Sequence, residues 1–76
     1  MELNRIKVVL VERKKTGKWL AEKLKKNEAT VSRWCTNEIQ PSLITLHEIS
    51  RALEVDIKDL LIQVKMKIYN DFRKSF

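Results

Sequence analysis

A chain of 76 residues, 43% hydrophobic and 34% charged, with one glycine and one proline, has the length for one domain that buries roughly 60% of its unfolded surface. It holds too few turn residues to punctuate a multi-stranded sheet. One cysteine, Cys35, and one histidine, His47, exclude an internal disulfide and supply no zinc centre.

Catalysis finds equally little material. Cys35 would need His47 brought to it to act as a nucleophile, and there is no glycine-rich phosphate loop and no pair of acids in a pocket-forming context. The chain therefore reads as a non-enzyme without a cofactor, and so small a core leaves no volume for a small-molecule site. The opening MELNRIKVVLVERKK has a short apolar run broken by charge, which reads as neither a signal peptide nor a membrane span, and the default compartment is the cytoplasm.

The net charge of +6 is unevenly spread. Residues 1–26 hold nine Lys/Arg against three acids, residues 27–62 three against six, and residues 63–76 four against one. Such asymmetry suggests a side turned toward a polyanion, with a solvated basic face as the plain alternative.

In chain order, Leu3, Ile6, Val9 and Leu10 fall at helical spacing, and predict an amphipathic first helix from Leu3 to about Lys14. Thr16 caps a second, from Gly17 to about Lys26, that buries Leu20, Ala21 and Leu24, with Trp19 at its edge. Asn27 caps a third, from Glu28 to Cys35, on which Val31 and Trp34 point one way while Glu28, Ala29, Ser32 and Arg33 fall on other faces. So short a connection predicts that helices two and three cross steeply.

Pro41 forbids helix at Gln40, and Ser42 caps a fourth helix, Leu43 to Leu53, burying Leu43, Leu46, Ile49 and Leu53. Asp56 caps a short fifth helix from Ile57 to about Ile62, with Asp59 as its capping-box acid and Leu60 and Leu61 closing the core. Beyond it, Val64, Met66 and Ile68 alternate with Lys65, Lys67 and Tyr69, a period of two. That tail either pairs with a copy of itself across a dimer axis, continues the fifth helix, or is a mobile arm. The organisation expected is thus one all-α five-helix domain over residues 1–62, and a C-terminal tail, 63–76, that could serve as a dimerisation arm.

Two short helices set at a steep angle, the second polar on one face, describe a helix-turn-helix. The stretch LAEKLKKNEATVSRW followed by PSLITLHEISRALEVDIKDLL resembles the Cro and lambda-type repressor domains, often called the Xre family. Leu-Ala in helix two, Thr-Val-Ser-Arg in helix three, Pro-Ser before helix four and Ala-Leu-x-Val before helix five match in order, over roughly residues 3–62. The resemblance implies a compact lambda-repressor-like domain whose helix three enters the DNA major groove.

On this resemblance Asn27, Glu28, Ala29, Ser32 and Arg33 read bases. The groove is about 12 Å wide and admits one helix, so short side chains let the backbone come close. Arg33 can fork onto guanine O6 and N7. Glu28 accepts from cytosine N4 or serves the helix N-terminus, and Ala29 meets a thymine methyl or simply favours helix. Phosphate contacts are expected from Thr16, Gly17 and Lys18 at the head of helix two, and from Thr30, Thr36 and Asn37. Lys14 and Lys15 add longer-range attraction. Trp34 shares a face with Val31 and reads as core.

Three positions depart from the family pattern. Gly17 stands where a glutamine is common, and Leu10 and Cys35 stand where an arginine–glutamate pair is common, which implies a packed contact in place of a buried ion pair. Asn37 stands where the loop usually has glycine, and is expected to take its left-handed conformation. The function implied is a sequence-specific double-stranded DNA-binding regulator of transcription from a bacterium or phage. It would bind an inverted repeat as a homodimer, with half-sites about 34 Å apart. The alternative is the same fold used as a protein-interaction adaptor or an antitoxin. A flat salt response of any DNA affinity would favour the alternative.

Overall fold

The computed structural model describes residues 2–62. Four α-helices follow in order: α1, Ile6–Glu12; α2, Gly17–Leu24; α3, Glu28–Cys35; and α4, Leu43–Leu53. A single 3-10 turn, Ile57–Leu60, comes after them. There is no strand among the described residues, only an isolated antiparallel bridge between Asn4 and Leu61. The reading of residues 63–76 as strand, helix or arm lies outside the described residues. No helix of the described residues is long and apolar enough to cross a membrane.

The three hydroxyl or amide caps expected from the sequence all form. Thr16 Oγ1 accepts from the Trp19 N–H at 3.0 Å, Asn27 Oδ1 from Ala29 at 2.7 Å, and Ser42 Oγ from Thr45 at 3.1 Å. Each satisfies one of the orphan donors of a helix start. These caps fix where α2, α3 and α4 begin, and the bounds of α3 and α4 are those expected.

The two ends of the domain differ from the expectation, for one shared reason. Arg5 donates to the Leu60 carbonyl at 2.9 Å, and Ile62 donates to the Leu3 carbonyl at 3.0 Å. Residues 3–5 and 60–62 are thereby held side by side around the Asn4–Leu61 bridge. So α1 starts at Ile6 rather than Leu3, and the fifth helix is cut to one 3-10 turn. Leu3, expected on the buried stripe, is 48% exposed, and Leu61, expected to close the core, is 37% exposed. Leu60, the last residue of the 3-10 turn, takes the core instead, at 0% exposed. Asp59 does act as expected at the turn, accepting the Asp56 N–H at 3.2 Å.

One core joins every element: Ile6, Val9 and Leu10 of α1; Leu20 and Ala21 of α2; Val31 and Trp34 of α3; Leu46, Ile49 and Leu53 of α4; and Leu60. Trp19 and Leu24 are only partly buried against it. Leu43, expected inside, is 72% exposed. At about 100° per residue it stands roughly 80° around α4 from the line through Leu46, Ile49 and Leu53.

All four helices end in the same way. The residues just past them, Lys14, Lys25, Asn37 and Glu54, are left-handed, with φ of 56, 56, 61 and 56°. In each case the next N–H reaches back to a carbonyl of the last turn: Lys15 to Leu10, Lys26 to Ala21, Glu38 to Arg33 and Val55 to Ser50. This is the Schellman closure, which glycine ordinarily serves. Here it is made without glycine, against the crowding of Cβ. Glu54→Gly is therefore expected to stabilise the fold by about 0.5–1 kcal/mol, visible as a rise of a few degrees in the thermal midpoint.

Candidate nucleic-acid interface

α2 and α3 are joined by only Lys25, Lys26 and Asn27, and α2 packs more extensively on α3 than on any other element. Lys25 in the left-handed conformation and Asn27 in an extended one turn the chain within these residues. Val31 and Trp34, 0% and 4% exposed, anchor the inner side of α3. At about 100° per residue, the direction opposite that pair is centred on Ala29 and Thr36, with Ser32 and Arg33 about 50° to either side. All four are exposed.

Of the base-reading candidates, Ala29, Ser32 and Arg33 thus share one outward surface. Asn27 and Glu28 stand at its leading edge, both exposed, and Glu28 lies in the first turn of α3, where a carboxylate is favoured by the helix dipole. Asn27 has its Oδ1 committed to the cap. The Arg33 side chain has no hydrogen-bond or ion-pair partner among the described residues, whereas its backbone carbonyl accepts from the Thr36 hydroxyl at 3.2 Å.

The phosphate candidates divide into two groups. Thr16, Gly17 and Lys18 lie together at the head of α2, and the Thr16 hydroxyl accepts one bond there, so its proton is left for a further acceptor. The Gly17 and Lys18 N–H groups are first-turn donors that the helix itself does not use. Gly17 is not left-handed, and a Cβ built on it would meet Val31 Cγ1 at an ordinary 3.7 Å, so the backbone does not demand glycine. Thr30 is half-buried at the flank of α3, away from the first group. Thr36 has its hydroxyl proton engaged, as above. Asn37 is left-handed as expected, and its side-chain amide is largely engaged within the protein, accepting three bonds and donating one.

A groove of about 430 Å³ runs between α1, the head of α2 and α3. Glu28, Ser32 and Thr36 line one wall, Thr16, Gly17 and Lys18 another, and Lys7 and Lys15 stand at its rim. Leu10 and Cys35 lie in the same groove, the apolar pair expected where the family carries charges. Burial pushes the Cys35 thiol up from its ordinary range, and the Lys7 charge opposes this in part. Lys15 also lies over the Trp19 ring, 4.8 Å from its centroid.

Lys7 is the residue that reading by elements missed. Its signal was in the sequence, because Lys7, Leu10 and Val11 are spaced to share the face of α1 that meets α3. The two arginines that flank α1 point elsewhere. Arg5 Nη1 donates to the Asp59 carbonyl and Arg13 Nη2 to the Glu54 carbonyl, both at 3.1 Å.

This arrangement, a short capped helix with a small-residue outer face beside a lysine-rimmed groove, is that of a DNA-binding helix-turn-helix domain, and comparison with known proteins agrees. The model of the Cro/C1-type helix-turn-helix DNA-binding domain matches residues 5–65, and the chain belongs to that family. Among solved structures, it is similar to one described as the "crystal structure of a putative DNA-binding protein from Bacteroides fragilis". The two are 52% identical with a TM-score of 0.79, over 82% of this chain and 100% of that one. Comparison with curated proteins gave no match.

Proposed function

We propose that the chain is a sequence-specific double-stranded DNA-binding protein that regulates transcription in the cytoplasm of a bacterium, or of a cell infected by its phage. In this reading α2 and α3 are the helix-turn-helix, and α3 lies in the major groove with Asn27, Glu28, Ala29, Ser32 and Arg33 at base edges. Thr16, Gly17 and Lys18 grip one phosphate strand, and Thr30 and Thr36 approach the other. The observation that carries it is the two-sided character of α3. Val31 and Trp34 are buried, while Ala29, Ser32, Arg33 and Thr36 stand exposed.

A single reading helix touches too few base pairs to be selective in a genome, so the protein works as a homodimer on an inverted repeat. Leu43 and Ile44, at 72% and 76% exposed, support the idea of a protein partner, because adjacent large aliphatic side chains in water favour association. The tail, 63–76, is the second candidate for the dimer contact.

Selection of bound duplexes from a random pool tests the whole reading. The expected product is a palindrome with half-sites about one helical turn apart. Recovery of no preferred sequence, together with an affinity insensitive to salt, would count against it. Lys18→Ala is expected to weaken binding to selected and scrambled duplexes alike, and to make the slope of log K against log salt shallower by about 1. Titration of both duplexes at several salt concentrations measures this.

A further inference from the structure

At the end of α3 opposite its cap, seven hydrogen bonds join Asn4, Asn37 and Gln40 to one another and to the main chain. Asn37 Oδ1 accepts from the Leu3 and Asn4 N–H groups, each at 2.9 Å, and from Gln40 Nε2 at 3.0 Å. Its Nδ2 donates to the Asn4 carbonyl at 3.0 Å. Asn4 donates from Nδ2 to the Trp34 carbonyl at 2.9 Å and to Gln40 Oε1 at 2.7 Å. Its own Oδ1 accepts from the Ile6 N–H at 3.0 Å, at the start of α1.

A buried polar side chain needs this degree of satisfaction, and Asn4 is only 3% exposed. Satisfaction alone does not explain the choice of partners. The cluster links the end of α3 to a segment thirty or more residues earlier in the chain. That segment is itself pinned by its pairing with residues 60–62. The head of α3 is held by the short turn from α2, and its inner side by Val31 and Trp34. The amide cluster supplies the third constraint, at the tail of the helix.

Base reading and phosphate attraction depend differently on such a constraint. A bidentate contact to a base edge fails when the helix tilts by a fraction of an ångström, whereas the attraction of lysines to phosphate hardly changes. We propose that Asn37, with Asn4 and Gln40, positions α3 for base reading by tying its C-terminal end to residues 3–5. Asn37 is then a positioning residue for selectivity and not chiefly a phosphate contact. The proposal rests on the reading of α3 as the DNA probe.

Asn37→Gly tests it, because glycine keeps the left-handed backbone without strain while removing the side chain and its hydrogen bonds. Gln40→Ala, at an exposed position, is the milder second variant. Two measurements are needed: amide hydrogen exchange of the free protein, and affinity for a selected and a scrambled duplex. In Asn37→Gly, exchange at Thr36, Asn37 and Glu38 should quicken by about tenfold relative to the middle of α4. Affinity for the selected duplex should fall about tenfold, that for the scrambled one by less than about twofold, and the salt slope should not move. Gln40→Ala should shift the same quantities in the same direction by less.

Equal losses on both duplexes would make Asn37 a phosphate contact and overturn the proposal. Unchanged exchange at the end of α3 would overturn it alone, if the native protein still chose between the duplexes. A native protein that binds neither duplex would overturn the DNA-reading function, and the selectivity claim with it.

Discussion

Trp34→Ala is expected to strip the domain of a large part of its stability. Trp34 is 4% exposed on the inner side of α3, and truncating a buried tryptophan costs about 3–5 kcal/mol. A domain of this length has a total stability of only roughly 4–11 kcal/mol at 0.05–0.15 kcal/mol per residue. The denaturant midpoint followed by helical circular dichroism should drop steeply. Trp34→Phe fills most of the same space, and should retain the fold with a lowered midpoint. A Trp34→Ala protein that kept its midpoint and lost only DNA affinity would mean that the indole stacks on bases rather than on Val31 and its neighbours.

Arg33→Ala is the complementary experiment, expected to spare the fold and damage the reading. The residue is exposed and its guanidinium has no partner among the described residues, so the midpoint should move by no more than about 0.5 kcal/mol. Binding to the selected duplex should weaken by about 1–3 kcal/mol, with relaxed choice at one base pair of each half-site. Competition among single-base variants of the duplex shows whether the loss is confined to one position. Full retention of affinity and choice would remove Arg33 from the reading surface, and with it the assignment of the outer face of α3.

The parts of this fold that could be read in the sequence are those governed by local chemistry. Asn27, Ser42 and Pro41 each act within a few residues of themselves, so they mark the bounds of α3 and α4 directly. Val31 and Trp34 are three apart on one helix, and their shared burial follows from that spacing. The outward set on α3 is the remainder of the same calculation, which made the candidate reading surface legible before any coordinates.

What escaped the sequence reading is of longer range. Leu3 and Leu61 both suit a helical stripe, but the chain uses their backbones to pair with each other's neighbourhood, and pairing over such a separation leaves no periodic trace. Asn4 falls off the apolar stripe of the expected first helix, yet it is nearly inaccessible because its partners, Trp34 and Gln40, come from another part of the chain. Leu43 fits the spacing of its helix but sits where the core has already ended. The left-handed helix ends at Lys14, Lys25 and Glu54 were hidden for a different reason, since the residue type that would normally announce them is absent.

The pairing of residues 3–5 with 60–62 has a practical consequence for anyone building on this scaffold. A reporter attached at Leu3 and another at Ile62 would sit at one corner of the molecule, as near neighbours. Two such labels would track each other from the outset, and their signal would report the integrity of that seam. It would be silent on whatever the opposite corner is doing.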